Sequence, residues 1–336
     1  MSKSQRRETV VAALSRLTEE VSSAERQYPA QRLAVVTAEL ASIQQELKEF
    51  EETTKPMSNP QEYAKTMHQM FVSLDLYKTP ILALDNQDFI ANVNRKEMRR
   101  LEQGWLRRRE AELQKERRVL HAQVLRVRAL YRQLQHMLER IWSGSTRPGL
   151  SLESDLARAQ SLRDGLALAT ARLRAASEYA RAALRLFDDA LAAWKYAAVG
   201  RSGWERTLAC SEACGLLVRG RCGERGARRV LATPAAPRAA RALRLALDYA
   251  FTDTMHDHRY QRATEIFLQF KETLVQLVKS IHQVLMNNIE SLAVAEKDFK
   301  EKRKQLLAAR INDIVRKGFS DLQYEEVVGR FKLYKM

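Results

Sequence analysis

The chain has 336 residues and a formal net charge of +16, with only seven prolines, twelve glycines and three cysteines. So few chain breakers cannot punctuate a many-stranded fold, and the dominance of Ala, Leu, Arg, Glu, Lys and Gln favours long helices. Three cysteines, an odd number in a long chain, argue against a secreted disulfide scaffold.

The amino terminus, MSKSQRRETVVAALSR, lacks the apolar run of a secretory signal, and no window approaches the roughly eighteen uncharged apolar residues of a membrane span. The expected placement is therefore intracellular and cytoplasmic, with a nuclear one left open. Residues 1–53 read as an N-terminal helical segment with two apolar stripes, Val10, Leu14, Leu17 and Val21, then Leu33, Val36, Leu40, Ile43 and Leu47. Pro29 separates them and predicts two helices or a sharp kink at Tyr28. Residues 54–85 read as a linker with a short helix: Asn59, Pro60 and Glu62 supply a cap, a first-turn proline and an acidic third residue.

The segment 86–199 carries the strongest pattern. Leu106, Leu113, Leu120, Val127, Leu134 and Ile141 recur at an unbroken spacing of seven, the seam of a coiled coil. The companion row is polar at Gln103, Glu110 and Arg117 and apolar from Val124 onward, so the second half is expected to pack most tightly. After a break at Gly144 and Pro148 the heptad returns with Leu152, Ala159, Leu166, Leu173, Ala180, Phe187 and Trp194 in one row. The other row is Asp155 and Leu162 followed by Ala169, Ala176, Ala183, Ala190 and Ala197. Alanines at a seam let a neighbouring helix approach closely. So short a turn predicts an antiparallel hairpin, the alternative being separate helices that pair with another chain.

Residues 200–237 read as a short helix, opened by the Ser202 and Glu205 capping pair, followed by a flexible loop rich in Arg, Gly and Ala. The loop reading rests on Gly220, Gly223 and Gly226, spaced by threes, and on little to bury after them. A C-terminal long helical segment, 238–319, is interrupted by the polar patch Thr252 to His258 and capped by Gly318; residues 320–336 form a tail.

Candidate sites are sparse. Cys210, Cys214 and Cys222 lack a fourth ligand and zinc-type spacing, and His256 and His258 share a metal only on a loop, so neither metal nor cofactor is expected. The three glycines meet neither the dinucleotide nor the P-loop pattern. No catalytic motif appears, and the chain is expected not to be an enzyme. Residues 97–245 hold 28 Arg and 2 Lys against 15 Asp and Glu. Most basic clusters interleave with glutamate and read as a solvated, ion-paired face. Arg219, Arg221, Arg225, Arg228 and Arg229 differ, because Glu224 is the single acid among the eight arginines from Arg219 to Arg244. They are either a contact for an anionic partner or a by-product of base composition.

The fold expected is all-α: an elongated antiparallel coiled coil or helical bundle with long helices and a flexible basic loop. The function expected is that of a non-enzymatic coiled-coil scaffold, with the cytoskeleton as its expected setting, binding other coiled-coil proteins or itself. The alternative is a basic helical module on an anionic surface: membrane, microtubule or nucleic acid. No small-molecule partner is expected.

Overall fold

The computed structural model describes residues 9–50, 60–142, 147–233 and 237–318. They are helical outside short turns, with no strand among the described residues. In chain order the helices are α1 Val10–Glu25, α2 Pro29–Phe50, α3 Pro60–Ser73, α4 Leu82–Asp85, α5 Gln87–Ile141, α6 Leu150–Val199, α7 Gly203–Leu231, α8 Pro237–Asp253 and α9 Asp257–Arg316. The 53–59 linker stretch, the Ser143–Thr146 part of the turn after α5, and the tail lie outside the described residues. The α1–α2 break falls where the proline places it, with Tyr28 in the left-handed region at φ 49°. The polar patch before His258 holds the turn between α8 and α9.

Contacts divide the chain into two compact units. Unit 1 comprises Met1–Val35, Glu116–Ala171 and Asn287–Met336; unit 2 comprises Val36–Lys115 and Arg172–Met286. In unit 1 the α1 stripe of Val10, Ala13, Leu14 and Leu17 packs on Met137, Leu138 and Trp142 of α5 and Ile314 of α9. The Trp142 indole donates to Asp313 at 2.8 Å. Arg310 of α9 meets Glu153 near the start of α6 at 2.5 Å, while Asn288 donates to the Leu166 carbonyl at 2.9 Å. Hence α6 and α9 run antiparallel there.

Unit 2 gathers α3 to α9 around one core that includes Tyr63, Met67, Phe71, Phe187, Trp194, Phe251 and Phe267. Trp194 of α6 stacks on Tyr260 of α9 at 5.0 Å, and Phe187 on Phe270 at 5.1 Å. About two turns earlier on α6, Arg109 of α5 donates to the Tyr179 hydroxyl at 2.6 Å. Asn94, fully buried on α5, donates to the backbone carbonyls of Leu247 and Asp248 and accepts from Tyr63.

The expected flexible loop is helix as far as Leu231, and residues 234–236 lie outside the described residues. Residues 203–231 are one continuous helix, α7, in which Gly220, Cys222, Gly223, Glu224, Gly226 and Ala227 are buried. The glycines face α6: a Cβ on Gly220 would lie 2.6 Å from the Phe187 ring, one on Gly226 2.9 Å from Tyr179, and one on Gly223 3.1 Å from Ala183 Cβ. A spacing of three is a helix face as well as a loop signal. Here the alanine row of α6 and the glycine row of α7 let the two backbones approach, which offsets the roughly 1 kcal/mol helix penalty of each glycine.

Candidate functional site

The heptad seam of α5 is largely consumed inside the protein. Leu106, Leu113 and Leu120 are buried, whereas Val127, Leu134 and Ile141 are half-buried and the deep positions shift to Val124, Leu130, Met137 and Leu138. The expectation of tighter packing in the second half is thus reversed. A row at a spacing of seven drifts about 20° per heptad around a straight helix, so it leaves the buried arc as it advances. On α6, Leu173, Phe187 and Trp194 are buried with Ala176, Ala183, Ala190 and Ala197. Leu166 is half-buried, and Leu162 is 60% exposed.

Four of the five singled-out arginines have acidic partners, more than the single Glu224 in their own stretch could supply. Arg221 and Arg225 both pair with the buried Glu102 of α5; Arg228 pairs with Glu224; Arg229 reaches Glu46 of α2 at 2.7 Å. Burial alone would push the Glu102 carboxyl up, but Arg225 and Arg221 outweigh it and hold the carboxyl below its ordinary value. Arg219 is exposed. The missing information is tertiary, since Glu102 and Glu46 lie more than a hundred residues away in sequence.

Unit 1 contains a charged clasp that sequence patterns did not single out. Glu25, at the end of α1, accepts from the Tyr131 hydroxyl of α5 at 2.5 Å and pairs with Arg163 of α6 and Arg303 of α9, each at 3.4 Å. The Arg163 guanidinium lies 3.9 Å from the Phe299 ring centroid, a close cation–π contact. Tyr28 donates to Glu296. Two clefts flank this clasp, of about 810 and 560 Å³, and share Thr18, Phe299, Arg303 and Leu307. Burial first, and then the neighbouring carboxylate, hold the phenols of Tyr28 and Tyr131 well above their ordinary range. They remain protonated donors to carboxylates on other helices at neutral pH, an arrangement suited to joining helices.

The outer face of α5 in unit 1 is the exposed feature of most consequence. Residues 117–138 contain five arginines, two histidines and no Asp or Glu. Arg117, Arg118, Arg126, Arg128 and Arg132 are all exposed, and among the described residues none has an ion-pair partner. They surround a small apolar centre of Ala122, Leu125 and Ala129, with Val119 at its edge; Leu125 is 50% and Val119 54% exposed. This run was missed because basic clusters were judged by their flanking glutamates. Glu116, the flanking acid, is instead held by Arg32 of α2 at 3.0 Å.

Among the described residues, no cluster of three His, Cys, Asp or Glu side chains could hold a metal, and no helix is long and apolar enough to cross a membrane. The three cysteines are buried and unbridged. No family model, curated protein or solved structure matches the chain.

Proposed function

We propose that this chain is a non-enzymatic assembly protein that docks a partner helix along the outer face of α5. The observation that supports this reading is the acid-free face from Arg117 to Arg132, with its centre of Ala122, Leu125 and Ala129. Small residues one turn to either side of a leucine let another helix approach closely, and flanking cations select acidic residues on its edges. At 1.5 Å per residue the face extends about 22 Å, enough for roughly two heptads of a partner. The burial of Leu106, Leu113 and Leu120 supports the choice of this face, because that part of the seam is already occupied within the chain.

A second reading follows from the same arginines: the face binds a polyanion such as nucleic acid or an acidic membrane. Salt and the apolar centre separate the two. The test is fluorescence anisotropy with two synthetic four-heptad peptides, one flanked by Glu and one by Lys, alongside a 25-base-pair RNA duplex and phosphatidylserine vesicles. Helix docking requires preference for the Glu peptide and loss of binding in Leu125→Glu. Binding to RNA or vesicles that falls steeply with salt and ignores Leu125→Glu would replace it with the second reading.

A further inference from the structure

We infer that the smaller cleft of unit 1 is a binding site for a long-chain carboxylate, a fatty-acid-like molecule with an apolar body and a single anionic head. This inference does not depend on the helix-docking reading. The cleft lies among the end of α5, the start of α6 and the second half of α9, and its volume of about 560 Å³ falls in the ~300–1,000 Å³ range of small-molecule sites.

Its origin is the drift of the α5 seam. Leu134 sits at the edge of the α1–α5–α9 cluster, packed against it but only half-buried, and lines the cleft with Leu138, Leu156 and Leu306. Leu134 and Leu156, the half-buried pair of these, present apolar surface to the concave space and favour an apolar occupant, because each Å² covered removes unfavourable contact with water.

The same cleft is lined by Arg132, Arg147, Arg303 and Arg310 against Glu139 and Glu153. Their donors are incompletely used. Arg310 gives one terminal nitrogen to Glu153 while its buried Nε has no hydrogen-bond partner, in a side chain only 12% exposed. Arg147 comes no nearer than 3.9 Å to Glu139, and Arg132 has no ion-pair partner among the described residues. A guanidinium offers five donors in a planar fork that matches a carboxylate, so unspent donors beside an apolar wall select an amphiphile with an anionic head. A single carboxylate suits this site better than a phosphate with its larger charge, because Glu139 and Glu153 remain in the lining.

The test uses the full chain and cis-parinaric acid, a fatty acid that fluoresces when it enters an apolar site. The acid is expected to bind at micromolar concentrations, and its neutral methyl ester at least about tenfold more weakly, the factor a charge-assisted hydrogen bond supplies. Arg147→Gln should weaken the acid about tenfold and leave the ester unchanged. Leu156→Trp, which fills the cleft, should abolish binding with an unchanged circular dichroism spectrum; Ala157→Phe serves if that variant unfolds. Equal binding of acid and ester, binding that survives a filled cleft, or no binding at all would overturn the inference. Displacement by oleoyl lysophosphatidic acid more than tenfold tighter than by oleate would overturn the assignment to a carboxylate, marking the source as a phospholipid.

Discussion

Glycine-to-alanine exchange at two positions of α7 should have opposite signs. In an exposed helix interior the exchange stabilises by about 1 kcal/mol, because alanine loses less backbone entropy on folding. At Gly215 the new Cβ would sit 3.7 Å from Leu101 Cδ1, an ordinary contact, so Gly215→Ala should gain up to about 1 kcal/mol. At Gly220 it would fall 2.6 and 2.7 Å from two carbons of the Phe187 ring. That ring is fully buried and stacked on Phe270, so it cannot swing aside. Overpacking of this kind costs about 1 to 3 kcal/mol, and subtracting the propensity gain leaves a net loss of up to about 2 kcal/mol. Urea titration followed by circular dichroism would place the Gly215→Ala midpoint above that of the wild type and the Gly220→Ala midpoint below it, at unchanged slope. If Gly220→Ala stabilised as much as Gly215→Ala, α7 would not lie against α6 through its glycines.

Glu102→Gln should cost about 3 to 5 kcal/mol, because it leaves Arg221 and Arg225 as uncompensated, partly buried charges. Since the Glu102 carboxyl lies below its ordinary value when folded, its contribution is present above about pH 4.5 and lost as pH falls; thermal melts of both proteins should converge in acid. Asp253 behaves oppositely: burial raises its carboxyl to about 6, with Arg259 and Arg262 pulling only part of the way back, and its side chain is 14% exposed. Folding then favours the protonated form, so stability falls as pH rises from about 4 to 6, and Asp253→Asn should gain about 3 kcal/mol at pH 7.5 and nothing at about pH 3.5. Equal urea midpoints at pH 7.5 would refute that. Asn94→Leu, which strands the Tyr63 hydroxyl and two backbone carbonyls, should cost about 1 to 3 kcal/mol in the same titration.

Signals that act within a few residues were legible. Pro29 placed the α1–α2 break, and Ser202 accepts from the Glu205 amide at 3.2 Å as a capping residue should. The heptads of α5 and α6 located two helices of 55 and 50 residues. What could not be read was the identity of the neighbour. The meaning of Gly220, Gly223 and Gly226 depends on Phe187, Ala183 and Tyr179 standing opposite, and that of Arg221 and Arg225 on Glu102, 119 and 123 residues away. A composition shift suggested disorder there, whereas long-range partners made the segment a core helix. The clasp at Glu25 was hidden for the same reason, since its residues come from four helices far apart in sequence.

The burial of all three thiols makes the chain its own reporter of opening. Cys210, Cys214 and Cys222 are at most 1% exposed, and burial, reinforced by the Glu102 carboxylate, pushes the Cys222 thiol up to about 12. The thiolate is the nucleophile that attacks an alkylating reagent, so with its thiols buried and protonated the folded protein should be nearly inert. Modification then proceeds only through molecules in which α7 has detached, and its rate against reagent concentration measures how often that happens. Because the native background is silent, a cysteine substituted for Leu125 or Ala157 would take up a fluorophore or spin label alone, without removal of any native cysteine.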